Sequence, residues 1–396
     1  MMRRFYLLCS LVFISLNLQA ADMPSWAPDV IHLVQNGGVY VEAKDGTPLF
    51  NYEGGRDFMP ASTLKVATAL AAIEILGKDY RFKTEFYLDP SNNLYVKGYG
   101  DPYLVSEELN SIVGQLKKTG LKKVNQIFLD ESYFEDVKVP GVSASLNPYD
   151  ALNSALSANF NTINVVKTKS GVESAESQTP MTELTQRLAQ KAPYGKSRIN
   201  LAAYPEDSLL YVGYLLKAFL EQENIPVSGT IQKGRVPTGS KLFYRHASSK
   251  SLEETLQAML KFSTNFISNQ LFLVMGAERM GAPATLAKGK KVMTDFLKLK
   301  LASSDFNIEE GSGISRQNKI SPKLLVKVLK AFEPYKKLMP EKMDGILAKT
   351  GTLNGVSALA GYFDSSQYKD ISFAILLNQS AANRERIAKI LYQNLH

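Results

Sequence analysis

The sequence predicts an α+β protein in which a five-stranded antiparallel sheet is flanked by helices and a large mixed insertion interrupts the sheet-forming parts. Strand-like runs occur near both ends of the chain, and residues 61–76 form a segment that is apolar on nearly all sides. A helix without a polar face is normally buried. We therefore expect this helix to pack against a sheet built from both ends of the chain, whose 396 residues suffice for two to three domains.

The first part of the sheet is predicted from the residues that precede this helix. Val30–Gln35 and Gly38–Ala43 are rich in strand-forming residues, and Leu49–Tyr52 follows a turn. Pro60 precedes the apolar helix and Gly77 follows it, as the backbone chemistry of helix ends favours. Two N-terminal strands and one buried helix are therefore expected.

The rest of the sheet is predicted after Pro340, and a helix closes the chain. The intervening residues 81–239 alternate between strand-like, helical and polar stretches, which indicates an inserted accessory region. The main domain is then formed by residues 21–80 and 240–396. The C-terminal elements are expected at Gly345–Thr352, Ser357–Phe363, Ile371–Asn378 and, as a helix, Arg384–Leu395.

Residues 1–20 are predicted to be a secretory signal peptide. Arg3 and Arg4 precede an uncharged stretch that ends in the small residues Ala20 and Ala21. The stretch is slightly shorter than the roughly 20 apolar residues that a membrane span needs. We expect cleavage, export to the periplasm and no stable membrane span in the mature chain.

The composition excludes several kinds of chemistry. Cys9 is the only cysteine, and the three histidines do not form a His-Glu-x-x-His motif, so neither a thiolate zinc site nor the common metallopeptidase signature is present. We expect no metal and no cofactor. Loss of Arg3 and Arg4 lowers the formal net charge from +8 to +6. The lysines recur at helical spacing, which favours a solvated helix face over a nucleic-acid site.

The first motif is Ser62-Thr63-Leu64-Lys65, at the start of the apolar helix. Residues three apart share a helix face, so the amine of Lys65 can approach the hydroxyl of Ser62. A lysine whose pKa is depressed by burial and positive neighbours can activate a serine nucleophile, and the backbone N–H of Ser62 can stabilise an oxyanion. Ser366–Lys369 repeats the pattern in a polar turn, which favours the first copy.

The third motif is Lys349-Thr350-Gly351-Thr352, on a strand entered through apolar residues. Such a strand can pair with an extended peptide while its cation and hydroxyls bind a terminal carboxylate. Gly351 leaves room for the substrate. The second Lys-Thr-Gly, Lys118–Gly120, ends a predicted helix, where glycine is expected as a cap.

The second motif is Ser263-Thr264-Asn265, which the surrounding apolar periodicity places within a helix. A hydroxyl there can pass a proton to a leaving amine, and Asn265 can hold the base or the substrate. Ser157-Ala158-Asn159 is a competing match, because it also falls between the other two motifs. The insertion at 81–239 thus lies between the first and second motifs.

With these motifs in this order, the chain resembles the D-alanyl-D-alanine carboxypeptidase/endopeptidase family, the low-molecular-mass class C penicillin-binding proteins. The resemblance implies the penicillin-binding/β-lactamase-like transpeptidase fold. It covers most of the mature chain. It rests on the stretches Met59–Lys65, Gly98–Leu104, Ser263–Leu271, Gly311–Pro322 and Leu347–Tyr362.

The resemblance also implies a role for each motif residue. Ser62 would attack the carbonyl between two D-alanines and Lys65 would be its base, while Ser263 and Asn265 would move protons and position groups. Lys349 and Thr350 would bind the substrate, and the Thr352 N–H would complete the oxyanion hole. The expected partners are peptidoglycan stem peptides, with β-lactam antibiotics as inhibitors.

Two other functions remain open from the sequence. A class A serine β-lactamase would carry Glu-x-x-Leu-Asn after the second motif, whereas Glu107-Glu108-Leu109-Asn110 precedes it with the wrong spacing. A non-catalytic peptidoglycan-binding scaffold would keep the fold without turnover. A Ser-His-Asp site is disfavoured, because no Gly-x-Ser-x-Gly elbow occurs and His246, in a polar stretch, is expected at the surface.

Overall fold

The computed structural model of the protein describes residues 23–135, 137–143 and 150–396; the predicted signal peptide lies outside these residues. The α-helices in these ranges are α1 (Ala27–Ile31), α2 (Lys65–Leu76), α3 (Ser106–Lys118), α4 (Glu183–Ala189), α5 (Pro205–Gln222), α6 (Leu252–Phe262), α7 (Asn265–Met280), α8 (Leu286–Leu301), α9 (Pro322–Phe332) and α10 (Arg384–Leu395). The strands are β1 (Gly37–Glu42), β2 (Pro48–Tyr52), β3 (Lys83–Leu88), β4 (Leu94–Gly98), β5 (Ile127–Asp130), β6 (Thr162–Thr168), β7 (Gly171–Ser174), β8 (Gly195–Asn200), β9 (Ile231–Lys233), β10 (Leu242–Ala247), β11 (Glu341–Met343), β12 (Ile346–Leu353), β13 (Val356–Phe363) and β14 (Ile371–Leu377).

The main sheet joins the two ends of the chain, as predicted. Its strand order is β11-β12-β13-β14-β1-β2 and every neighbouring pair is antiparallel. The α+β fold with its antiparallel sheet is thereby confirmed. The three-residue edge strand β11 makes the sheet six-stranded rather than five-stranded.

Helices cover both faces of this sheet. One hydrophobic cluster packs α2, α6, α7, α8 and α9 against residues such as Ala358 and Leu376. A second cluster packs α1 and α10 against the opposite face, including Leu359 and Ile375. All eight residues of β13 are buried, because a central strand covered on both sides has no solvent face.

The N-terminal element is a helix and not the strand predicted over Val30–Gln35. The helix α1 carries Pro28 in its first turn and Asp29 beside it. Proline has the φ angle of a helical first turn, and an acidic side chain is favourable at the positive end of the helix dipole. These local signals outweigh the β-branched residues that suggested a strand.

The inserted region contains two smaller sheets around its own core. One sheet has the order β10-β3-β4-β5-β9 and the other has the order β7-β6-β8. Helices α3, α4 and α5 contribute to a separate hydrophobic cluster with these strands. None of the helices within the described ranges is long and apolar enough to cross a membrane.

The helix α2 is buried from its first residue, Lys65, to Ile73. A single 3₁₀ turn, Ala61–Leu64, precedes it, so the predicted helix over 61–76 has a tighter first turn. The turn lies against strands β12 and β13. The start of this buried helix is therefore held next to the strand that carries the third motif.

The packing of α10 on the sheet gives a stability prediction. Leu391 is fully buried against the sheet, so Leu391→Ala is expected to lower the free energy of unfolding by about 2–5 kcal/mol. Gln393 is exposed on the same helix, and Gln393→Ala should change it by less than about 0.5 kcal/mol. Urea denaturation can be followed by the fluorescence of Trp26, the only tryptophan, which packs on Phe50 in the same cluster. Equal losses in the two variants would contradict this packing.

Candidate active site

The first motif places a hydroxyl and an amine in contact at the start of α2. The Nζ of Lys65 lies 2.9 Å from the Oγ of Ser62. The residue before the serine, Ala61, has a φ of 46°. This left-handed conformation is costly for a residue with a side chain and persists only where surrounding structure enforces it, as often at functional sites.

Besides the Ser62 hydroxyl, the amine of Lys65 contacts two oxygen atoms that accept hydrogen bonds. It lies 2.7 Å from the Oδ1 of Asn265 and 2.7 Å from the carbonyl oxygen of Ser312. A neutral amine donates its two protons to these oxygens and keeps its lone pair for the hydroxyl proton of Ser62. The arrangement therefore fits an uncharged lysine that acts as a base.

Burial supplies the electrostatic condition for this state. Lys65 is fully buried, and burial lowers its pKa well below the usual value of a lysine; the positive charge of Lys349 lowers the pKa further. The carboxylate of Glu310 acts in the opposite direction. Desolvation and a like charge outweigh one acidic neighbour, so the amine loses its proton far more easily than an exposed lysine.

Glu310 is a site residue that the sequence reasoning missed. It is fully buried and accepts hydrogen bonds from the N–H and hydroxyl of Ser312, the N–H of Gly313 and the side chain of Asn318, at 2.6–2.7 Å. The carboxylate thus shapes the loop that presents the Ser312 carbonyl to Lys65. The stretch Gly311–Pro322 was noted in the sequence, but a buried acid one residue before it carries no local signal of its own.

The second motif was predicted to lie within a helix, but it lies at the junction of two helices. Helix α6 ends at Phe262, Ser263 has a left-handed φ of 58°, and α7 resumes at Asn265. The apolar periodicity continues across this break, which explains the error. The break directs Asn265 to Lys65 and brings the Oγ of Ser263 to 2.8 Å from the Nζ of Lys349.

The competing match Ser157-Ala158-Asn159 is directed elsewhere. The side chain of Asn159 is buried and hydrogen-bonded to Ser106 and to the hydroxyl of Tyr211. These partners belong to the core of the inserted region. The structure therefore brings the copy at Ser263, and not this one, to the first motif.

Strand β12 carries the third motif along the other side of the cleft. A Cβ on Gly351 would lie 2.7 Å from the Pro60 carbonyl oxygen and 3.0 Å from the Ser62 nitrogen. The strand can approach the serine this closely because position 351 has no side chain. Thr350 and Thr352 line the cleft beside Ser62.

Lys349 is buried, and two positively charged side chains lie near it. Its amine lies 2.8 Å from both the Ser263 hydroxyl and the Thr350 carbonyl. Burial, together with the charges of Lys342 and Arg384, lowers its pKa to about 7. Its charge is therefore sensitive to pH near neutrality.

Arg384, at the start of α10, is a second residue that the sequence reasoning did not identify. Its Nη1 donates to the carbonyl of Gly351 at 2.6 Å and to the hydroxyl of Thr352 at 2.7 Å. The guanidinium thus holds the strand of the third motif in place through these two hydrogen bonds. Only the fold brings a residue of the last helix to this strand, so no local pattern indicates the contact.

The three motifs enclose a cleft of about 500 Å³, lined by Ser62, Ser263, Asn265, Thr350 and Thr352 among others. Asp150, from the inserted region, also lines it and accepts hydrogen bonds from Ser143. All eight residues predicted for the site therefore lie in or beside one cleft. In the described ranges, no group of His, Cys, Asp and Glu side chains is arranged to hold a metal ion.

His246 differs from its prediction. It was expected at the surface, but it is buried, and its Nε2 lies 2.7 Å from the carboxylate of Glu108. Strand β10, which contains it, pairs with β3 in the inserted region. The polar residues around His246 in the sequence suggested an exposed position, whereas its partner Glu108 is distant in the chain.

Comparison with known proteins agrees with this geometry. A sequence profile of the D-Ala-D-Ala carboxypeptidase 3 (S13) family matches residues 21–340 and 333–394, and the chain belongs to this family. The predicted family membership is thereby confirmed, and the protein is a serine-type DD-peptidase.

Relatives are similar over nearly the whole chain. A D-alanyl-D-alanine carboxypeptidase from Actinomadura sp. (strain R39) is 26% identical over 418 residues, 87% of this chain and 77% of the relative. The D-alanyl-D-alanine carboxypeptidase DacB of Haemophilus influenzae is 24% identical, over 91% of this chain and 88% of its own.

The fold is also similar to that of a solved H. influenzae protein. The crystal structure of penicillin-binding protein 4 from H. influenzae superimposes with a TM-score of 0.77 at 22% identity, over 94% of this chain and 99% of that one. A second structure of that protein contains a β-lactam.

The buried carboxylate of Glu310 gives a prediction about Lys65. Glu310→Gln is expected to lower the free energy of unfolding by about 1–3 kcal/mol, since an amide cannot accept all of these hydrogen bonds. It should also lower the pKa of Lys65, because the acid normally raises it.

The neighbouring residue provides a matched control. Glu309 pairs with Lys290 near the surface, so Glu309→Gln should cost only about 0–1 kcal/mol and leave the Lys65 pKa unchanged. Urea denaturation and NMR titration of ¹³C-labelled lysine measure both effects. A Lys65 pKa that rises in Glu310→Gln would refute the assigned electrostatics.

Proposed function

We propose that Ser62 is the nucleophile of the DD-peptidase reaction and attacks the carbonyl of the penultimate D-alanine. The contact between the Ser62 hydroxyl and the buried Lys65 amine, 2.9 Å, is the observation that carries this assignment. The neutral amine takes the hydroxyl proton as the oxygen attacks. The products of this step are an acyl-enzyme on Ser62 and, once protonated, a free D-alanine.

The oxyanion that forms during attack is bound by two backbone N–H groups, those of Ser62 and Thr352. Support comes from the close approach of β12 to the nitrogen of Ser62, which Gly351 permits. N–H donors that are fixed before the reaction stabilise the developing charge without reorganisation.

The proton reaches the leaving amine through the second motif. Asn265 holds the amine of Lys65 in place at 2.7 Å, and the Ser263 hydroxyl, held by Lys349, faces the same cleft. In this scheme Ser263 donates its hydroxyl proton to the departing nitrogen and takes up the proton that Lys65 removed from Ser62, so that both Ser263 and Lys65 return to their starting states. Water then hydrolyses the acyl-enzyme, with Lys65 again as the base.

Substrate binding is assigned to the third motif. Lys349 and the hydroxyls of Thr350 and Thr352 bind the terminal carboxylate, while β12 pairs with the extended peptide. The substrates are peptidoglycan stem peptides that end in D-Ala-D-Ala. β-Lactams acylate the same serine, which agrees with the β-lactam bound to the H. influenzae relative.

The same proposal covers the organisation and location of the chain. Residues 21–80 and 240–396 were expected to form the catalytic domain and residues 81–239 the accessory region, and the separate hydrophobic cluster of the inserted region supports this division in outline. The second boundary lies later in the chain than predicted, because β10 (Leu242–Ala247) pairs with β3 and completes the sheet of the accessory region. Residues 1–20 direct export to the periplasm, where the substrate is located. A signal-like pattern in these residues supports this assignment.

Release of D-alanine from a pentapeptide that ends in D-Ala-D-Ala tests the proposal. The wild-type protein should release D-alanine, and both Ser62→Ala and Lys65→Ala should reduce the rate by at least about 1,000-fold. Circular dichroism checks that both variants are folded. A Lys65→Ala variant that retains the wild-type rate would exclude Lys65 as the base.

The two lysines predict a bell-shaped pH profile of kcat/KM. Lys65 must be neutral, so activity falls as the pH drops through its depressed pKa. Lys349 must be charged, so activity falls as the pH rises through its pKa of about 7 in the free enzyme. An activity that does not fall at acidic pH while the protein stays folded, as circular dichroism reports, would contradict the role of Lys65.

Arg384 tests the basic limb separately. Its charge lowers the pKa of Lys349, so Arg384→Gln should move the basic limb to higher pH. Arg386 is exposed on the same helix, and Arg386→Gln should leave the limb in place. The pH profiles of kcat/KM for the three proteins measure the shift, and a limb that does not move in Arg384→Gln would exclude Lys349 as its origin.

A further inference from the structure

A second cleft lies on the other side of the second motif. It has a volume of about 680 Å³ and is lined by Phe262, Thr264 and Phe266 from the catalytic side, and by Phe160, Asn164 and Arg198 from the inserted region, among others. Ser263 and Asn265 face the catalytic cleft, whereas Thr264, the residue between them, faces this one. A three-residue segment therefore separates the two clefts.

One wall of this second cleft is aromatic. The ring of Phe160 packs edge-on against Tyr103 at 5.6 Å and against Phe266 at 6.0 Å. Phe262, the last residue of α6, is 68% exposed and lines the same cleft. These rings offer flat apolar faces to a ligand.

The residues that position the Phe160 ring have an unusual backbone conformation. Asn159, Phe160 and Asn161 have φ angles of 49°, 56° and 54°, three consecutive left-handed residues. The buried side chain of Asn159 bonds to Ser106 and Tyr211, and that of Asn161 bonds to the Leu152 carbonyl and to Ser208. Asparagine adopts this conformation readily, but for Phe160 it is strained, and the two anchored asparagines fix the position of the Phe160 ring.

The other wall is a row of hydrogen-bonding groups. Arg198 donates to Asn164 at 3.2 Å, and Asn164 donates to Glu176 at 2.9 Å. These three side chains are half-buried or exposed, as is Gln178 beside them. The opposite charges of Arg198 and Glu176 are joined through the amide, and the lining also contains Glu107, Glu108 and Lys250. Charges of both signs and an amide offer donors and acceptors together, which suits a hydroxyl-rich ligand.

We propose that this cleft binds the glycan strand of peptidoglycan. A sugar ring has apolar C–H faces that stack on aromatic rings, and hydroxyl and N-acetyl groups at its edges that match the polar row. The inference rests on the proposed function, because the stem peptide cut at Ser62 is attached to the glycan. The two clefts are separated by the segment 263–265, a span that a few extended peptide residues at about 3.5 Å each can bridge.

The test compares two substrates that share one scissile bond, a disaccharide pentapeptide and the same pentapeptide without sugars. The wild-type kcat/KM should be at least about tenfold higher for the substrate with sugars. Phe262→Ala and Arg198→Gln should each lower this ratio by about three- to tenfold. The pentapeptide without sugars reports any disturbance of Ser263, which follows Phe262 directly.

Tyr194 provides the matched control. It is 72% exposed, and Lys167 lies 5.4 Å from its ring, as Lys261 lies 5.4 Å from the ring of Phe262. Tyr194→Ala should leave both rates unchanged. Equal wild-type rates on the two substrates, or equal losses on both in Phe262→Ala and Arg198→Gln, would overturn the glycan site alone. Absence of turnover on both substrates would overturn the proposed function itself.

Discussion

The structure depends on burying an amine beside a serine hydroxyl. Lys65 is fully buried at the first residue of a helix that is covered from Lys65 to Ile73. A charged lysine there loses its hydration and faces the positive charge of Lys349, against which Glu310 compensates only in part, so the pKa of the amine is lowered. The two helix layers and the sheet thus bury the Nζ of Lys65 and lower its pKa.

Each of the other site elements supports this contact. The loop shaped by Glu310 supplies the Ser312 carbonyl, and the break between α6 and α7 supplies Asn265. Gly351 allows the third motif to approach the serine, and Lys349 adds a positive charge that keeps the amine neutral. Removal of any one of them is expected to alter the pKa or the position of Lys65 before it alters the fold.

Much of this arrangement was predictable from local sequence, and the remainder was not. The start and end of α10 and the strands around Lys349 follow from hydrophobic periodicity and turn residues, which act over short distances. The helix break at Ser263, the contact of Arg384 with Thr352 and the burial of His246 depend on partners distant in the chain. The strand expected at Val30–Gln35 failed for a local reason, because Pro28 and Asp29 favour a helix.

The role of Ser62 is tested most directly by intact-protein mass spectrometry after brief exposure to benzylpenicillin, with peptide mapping of the adduct. We expect one penicilloyl group on Ser62 in the wild-type protein and in Ser366→Ala, which alters the exposed second copy of the Ser-x-x-Lys pattern. Ser62→Ala should carry none. An adduct that persists in Ser62→Ala, or its absence from a folded wild-type protein, would contradict the claim that Ser62 beside a neutral Lys65 is the acylated nucleophile.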